Sequence, residues 1–194
     1  MARVRTKGPA LRACPRARGF TLVEMMIVVI IMAILAVLAV VGYRTLITSS
    51  HLSEATHMIG SIRVAQEGYH SETLTYANVS AGPTAYYPQA APTGHLLTQW
   101  GAPCTNCADV DWSVLPLHVD GPVMFGYATI ASSGGQNAQP PAVTVNGKAL
   151  TYTAPSEWYF IAASCDMNAD GDSANTNVYS FSWTNQLFVD AEGQ

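Results

Sequence analysis

The sequence predicts an α+β fold in which one long N-terminal helix, membrane-spanning over its first half, packs on a small antiparallel β-sheet. Three observations predict it. Met25 to Val41 form an almost unbroken apolar run, and a helix over residues 20–43 would rise about 36 Å, enough to cross a hydrocarbon core of about 30 Å. Leu52, Ala55, Met58, Ile59, Ile62, Ala65 and Tyr69 then recur at three- and four-residue spacing, with Glu54, Arg63 and Glu67 off that stripe, as in an amphipathic helix. From Val123 onward, short stretches rich in β-branched and aromatic residues alternate with turn residues, the pattern of antiparallel strands.

Residues 1–19 read as a leader. Six of the nine basic residues (Arg3, Arg5, Lys7, Arg12, Arg16 and Arg18) precede Gly19, and all thirteen acidic residues follow it. Lys and Arg beside a membrane segment stay cytoplasmic, so the chain after Tyr43 is expected in the periplasm or outside the cell. A conventional secretory signal has an apolar region of about 7–15 residues with a small-residue cleavage site after it, shorter than this run. Without the leader, three basic side chains face thirteen acidic ones, a formal −10. Nucleic-acid affinity rests on Lys and Arg neutralising phosphates, so direct nucleic-acid binding is not expected.

One carboxylate interrupts the apolar segment. A charged side chain at the centre of a bilayer costs about 2.5–3.5 kcal/mol on insertion scales, so Glu24 marks a function and calls for a partner. The nearest candidate is an amine. Cleavage between Gly19 and Phe20 would create an α-ammonium four residues from Glu24, and the same group on a neighbouring copy would pair with that carboxylate.

The run Gly19-Phe20-Thr21-Leu22-Val23-Glu24-Met25-Met26-Ile27-Val28-Val29 resembles the cleavage and methylation motif of type IV prepilins and type II secretion pseudopilins. Val64-Ala65-Gln66-Glu67-Gly68-Tyr69 and Leu74-Thr75-Tyr76 are similar to the end of that family's long helix and the loop after it, so the resemblance covers roughly residues 13–78. It implies a pilin-like fold, cleavage by a prepilin peptidase after Gly19, N-methylation of Phe20, and a role for Glu24 in assembly. The family often has Gly where Ala33 stands and Pro where Val41 stands. Gly42 is the only local residue that would soften the helix.

The remaining elements follow in order. Residues 44–72 continue the helix as the striped segment, giving one helix from Phe20 to about His70, near 75 Å long. Residues 73–122 are rich in Pro, Gly, Thr and Ala and read as a connecting loop with a short helix near Leu96. Residues 123–194 hold the sheet: Val123 to Ile130, a hairpin of Val143–Val145 and Ala149–Tyr152 around Asn146-Gly147, then Glu157 to Ala162 and Val178 to Val189.

Cys14 falls in the leader, which leaves Cys104, Cys107 and Cys165 in an oxidising compartment. Cys165 is expected to join Cys104 or Cys107, or else Cys104 and Cys107 close on each other. A redox CxxC would open a helix within a β-α-β unit, and this one follows Pro103 in a loop. Zinc would need four converging ligands, and the five histidines are scattered. No catalytic constellation is present, so an enzyme is not expected.

Asp166, Asn168, Asp170 and Asp172 place oxygen ligands at alternate positions around Gly171, as calcium loops do. The EF-hand pattern would require Glu where Asn177 stands, and flanking helices where strands are predicted. Some pilins and pseudopilins carry calcium in a loop of the C-terminal sheet, and the placement here is similar. Asp, Asn and Gly are also ordinary turn residues.

The resemblance implies a structural subunit, major or minor, of a type IV pilus-like filament. Its expected partners are copies of itself and other pilins, the prepilin peptidase, an inner-membrane assembly platform, and membrane lipid before assembly. A type II secretion pseudopilin is the alternative. A third reading is a non-polymerising single-pass membrane protein with a periplasmic ligand-binding domain. The expected location is the bacterial inner membrane, then a surface or periplasmic filament.

Overall fold

The structure, a computed structural model, describes residues 19–94, 96–104, 107, 111–132, 139–168 and 175–190, with backbone alone at Arg44 and Thr45. Its contacts divide the chain into two units, Met1–Tyr43 and Arg44–Gln194. Helix α1 (Leu22–Thr73) is 52 residues long and uninterrupted through Ala33, Val41 and Gly42. In the first unit every side chain from Gly19 to Tyr43 is exposed. In the second, Ala55, Met58, Ile59, Ile62 and Ala65 are buried, with Leu52 and Tyr69 packed partly buried on the same cluster.

The loop region is more ordered than its composition suggests. It holds β1 (Thr98–Gln99), a 3₁₀ turn (Trp112–Val114) and β2 (Pro122–Val123). β1 pairs antiparallel with β2, Thr98 opposite Val123. The helix expected near Leu96 is absent: Leu96 and Leu97 are non-helical and exposed, and the chain there runs into β1, whose backbone finds its partner in β2 instead of along a helix.

The main sheet comprises β3 (Gly126–Ser132), β6 (Trp158–Cys165), β7 (Thr176–Phe181) and β8 (Leu187–Asp190), antiparallel in the order β3-β6-β7-β8. A small hairpin of β4 (Thr144–Val145) and β5 (Lys148–Ala149) forms a separate two-stranded sheet, tied to the end of β8 by the Asn146 N–H on Asp190 Oδ1 (2.6 Å). At its turn Asn146 and Gly147 have φ of 50° and 75°, the positive values that a type I′ turn requires of both central residues.

Two expected strands are divided, and one helix charge sits at each division. Val123 belongs to β2 and not to the main sheet. The bend that follows gives its Met124 and Phe125 N–H groups to Glu54 Oε1, at 2.9 and 3.5 Å. The stretch Val178–Val189 likewise splits into β7 and β8. In the turn between them, Arg63 donates to the Thr184 carbonyl (3.0 Å) and to Asn185 Oδ1 (2.8 Å), and it also reaches Ser180 Oγ (3.2 Å).

β6 is buried along its whole length. Successive strand residues point to opposite faces, so Tyr159, Ile161, Ala163 and Cys165 join the cluster that contains the helix stripe. Trp158, Phe160 and Ala162 enter a second cluster with Val143 and Phe181, against which Tyr152, Trp183 and Phe188 pack. The aromatic row of β7 thus lies on the face away from α1. Its small row, Val178 and Ser180, meets the helix side.

Candidate functional site

The N-terminus of α1 is organised by three residues, Thr21, Glu24 and Met25. Glu24 donates its backbone N–H to Thr21 Oγ1 (3.1 Å), and the Thr21 N–H donates back to Glu24 Oε2 (3.4 Å). Met25 N–H bonds the Thr21 carbonyl at 3.2 Å. This is a capping box, in which the first helical turn satisfies donors that otherwise have no intrahelical partner. A carboxylate in the first turn is also favoured by the positive end of the helix dipole. The signal lay in the spacing Thr21-x-x-Glu24, and it adds Thr21 to the residues that sequence reasoning named. Thr21 keeps its amide N–H when a chain begins at Phe20, so the box survives cleavage. The contact uses one of about four lone-pair sites of a carboxylate, leaving capacity for an amine.

Phe20 is 78 % exposed. A Cβ added to Gly19 would meet nothing within 4 Å, so any demand for glycine there comes from another molecule.

The cysteines follow one of the two expected arrangements. Cys104 and Cys107 form a disulfide, and Cys165 is a buried free thiol. Cys165 as a bridging residue is therefore corrected. It sits on the inward face of β6 within the helix-side cluster, whereas Cys104 and Cys107 are half-buried in the loop region. Burial, reinforced by Glu54 and Asp166, pushes the Cys165 thiol up to about 12. Since the thiolate is the reactive form, this thiol is inert.

Of the acidic loop, Asp166 and Asn168 are described, while Asp170 and Asp172 lie outside the described residues. Strands β6 and β7 flank it, Cys165 opposite Thr176. Asp166 is buried and gives its N–H to the Pro92 carbonyl (3.3 Å), whereas Asn168 is exposed. These two alone do not make a cation site. Among the described residues no group of three or more His, Cys, Asp or Glu side chains is placed to hold a metal. Across from the loop, Gly94 has φ of 70° and its backbone abuts the Asp166 carbonyl, where a Cβ would clash. His70 pairs with Glu157 (3.2 Å) and stacks on Tyr76, while His118 pairs with Asp120 (3.0 Å).

Residues 14–40 match the family described as Prokaryotic N-terminal methylation motif. No curated protein and no solved structure matches the chain. The matched segment contains Gly19, Phe20, Thr21 and Glu24 and ends within α1. It implies processing by a prepilin peptidase and assembly with other pilins, and together with the apolar helix it supports a membrane-anchored protein. The chain thus bears, over residues 14–40, the prepilin signature of type IV pilins and pseudopilins.

Proposed function

We propose that the chain is a structural, non-enzymatic subunit of a type IV pilus-like filament. It is cut between Gly19 and Phe20, methylated on the Phe20 amine, and held in the inner membrane with the chain after Tyr43 in the periplasm. It then polymerises through the apolar part of α1. The observation that carries this reading is the first unit itself, in which every side chain from Gly19 to Tyr43 is exposed and nearly all are apolar. Soluble monomers rarely expose a contiguous apolar patch larger than a few hundred Å², so this surface needs lipid before assembly and copies of itself after it. Glu24 then acts where the apolar surface is buried. Pairing with the Phe20 ammonium of a neighbour would set axial register, the role best attested for buried ionic groups.

The test is the mass of the mature N-terminus with imaging of cell-surface fibres. A chain starting at methylated Phe20 in extended fibres is expected. An intact leader would sink the filament reading, and a processed chain confined to short periplasmic assemblies would make it a type II secretion pseudopilin. Gly19→Leu is expected to leave full-length protein in the membrane, because the peptidase must approach this backbone closely.

Calcium enters the same proposal as a ligand of the loop carrying Asp166, Asn168, Asp170 and Asp172, supported by their alternating oxygens. Extracellular sites of this kind bind at about 10⁻⁴–10⁻³ M. Melting should therefore rise with millimolar calcium through mass action, and the rise should vanish in Asp170→Ala. Equal melting in calcium and in chelator would leave the segment a polar turn.

A further inference from the structure

The chain contains one Asn-Gly pair, Asn146-Gly147, and it forms the turn of the β4–β5 hairpin. An asparagine followed by glycine carries a chemistry of its own. The backbone nitrogen of the next residue can attack the side-chain amide carbon, and a glycine, which has no Cβ, leaves that approach open.

The structure separates this asparagine from others. Asn78 Oδ1 accepts the Ala131 N–H at 3.2 Å, and Asn185 Oδ1 accepts from Arg63 at 2.8 Å. Among the described residues Asn146 makes one hydrogen bond, and it uses the backbone N–H, leaving the carboxamide untied. Its attacking partner is equally free. Asn146 and Gly147 are both exposed, the Gly147 N–H meets no acceptor among the described residues, and a Cβ added there would meet nothing within 4 Å.

The hairpin is also loosely held. The closed turn fixes the Asn146 backbone at φ of 50°, so the attack proceeds from the opened hairpin. β4 and β5 are joined at two positions, Thr144 with Ala149 and Val145 with Lys148, and Thr144, Lys148 and Ala149 are exposed. A two-stranded hairpin is marginal in water by itself, and such elements open locally at low cost.

We propose that Asn146 is a spontaneous modification site, at which the carboxamide becomes a carboxylate and the hairpin is released from β8. The Gly147 nitrogen gives its proton to solvent base and bonds to Asn146 Cγ. The Cγ–Nδ2 bond breaks, ammonia leaves, and a succinimide ring closes. Water then opens the ring at either carbonyl, to aspartate or to isoaspartate, in which the main chain runs through the β-carbon. One water is consumed, one ammonia is released, and nothing is oxidised or reduced. Either product sets a new negative charge beside Asp190, whose Oδ1 accepts the Asn146 N–H at 2.6 Å, and like charges this close disfavour each other. Isoaspartate also lengthens the backbone at the turn and breaks the register of Val145 with Lys148. Val143, Val145 and Leu150, which pack on the aromatic cluster of the outer sheet face, then lose their tether.

The test incubates the full mature chain, in detergent, in mildly alkaline water enriched in heavy oxygen, followed by digestion in ordinary water and mass mapping of each peptide. The peptide holding Asn146 is expected to gain the label, faster as pH rises, while those holding Asn78 and Asn185 stay unlabelled. Asn146→Gln should remove the label, and a chain held in denaturant should label faster. Release is read separately by amide exchange. Asn146→Asp should exchange about tenfold faster across residues 144–149, the loss one hydrogen bond implies, and adding Asp190→Asn should restore the wild-type rate. The proposal fails if Asn146 labels in denaturant but not in the folded chain, if Asn78 and Asn185 label equally, or if Asn146→Asp exchanges like wild type.

Discussion

Residues 22–43 and residues 52–69 belong to one α-helix and are both rich in apolar side chains, but they dispose of that apolar surface differently. In the second stretch Ala55, Met58, Ile59, Ile62 and Ala65 are buried against the sheet, and the polar side chains between them bind loops and turns. In the first, apolar residues surround the helix and all are exposed. An apolar stripe is what a domain needs to build its own core. An apolar surface on every side is a demand placed on lipid or on other chains, and it is the feature on which the proposed assembly rests.

The largest expected effect is on the exposed half. Glu24→Val should insert and be cleaved normally, since valine suits a helix centre in lipid, yet fibre yield should fall to background. The capping box sharpens this test. Thr21→Ala removes the Oγ1 acceptor and costs about 1 kcal/mol of helix start, but it keeps the carboxylate, so fibres should persist. Equal losses in the two variants would mean that Glu24 serves the helix end and not a neighbouring subunit.

Next comes the contrast in stability. Ile62 is fully buried, and Ile62→Ala should lower unfolding stability by about 2–5 kcal/mol, as large-to-small core changes do. Val29 is 62 % exposed, and Val29→Ala should leave the melting of the detergent-solubilised chain unchanged. Comparable losses at both positions would show that the apolar half is packed within its own subunit.

The smallest effect is the alkaline limit of the sheet. Burial is the main cause that holds the Cys165 thiol and the Tyr179 phenol up to about 12, from ordinary values of 9.0 and 10.0. Both groups bind their protons more tightly folded than unfolded. Their contribution is therefore complete below about pH 9 and is lost as pH rises toward 12. Chemical unfolding at stepped pH should show stability declining across that window, with a smaller decline in Cys165→Ala. A flat profile between pH 9 and 12 would remove these groups from the account.

Much of the proposed assembly site was legible because its signals are local. The apolar run, Glu24 within it and the asymmetry of charge about Gly19 are each readable within a few tens of residues; Thr21-x-x-Glu24 is equally local, but its role came only from the structure. The helix stripe was equally plain, since its spacing is the helix period itself. Charges off that stripe read as solvent-facing, but Glu54 and Arg63 hold turns of the sheet. Gln66 was silent in the pattern as well. It is fully buried, with its side-chain amide bonded to both backbone groups of Ala77 and to Thr129 Oγ1.

By itself the sequence determined the α+β class, an apolar run long enough to span a membrane, the prepilin signature over residues 14–40 and the hairpin at Asn146-Gly147, because periodicity, charge placement and turn chemistry act between near neighbours in the chain. Tertiary structure alone decided what depends on distant partners. It closed Cys104 on Cys107 and buried Cys165 as a free thiol. It covered both faces of β6 and brought Tyr87, Trp100 and Trp112 to one cleft. Such contacts join residues many positions apart, where pattern along the chain carries no information and only the packing of the whole unit selects the partner.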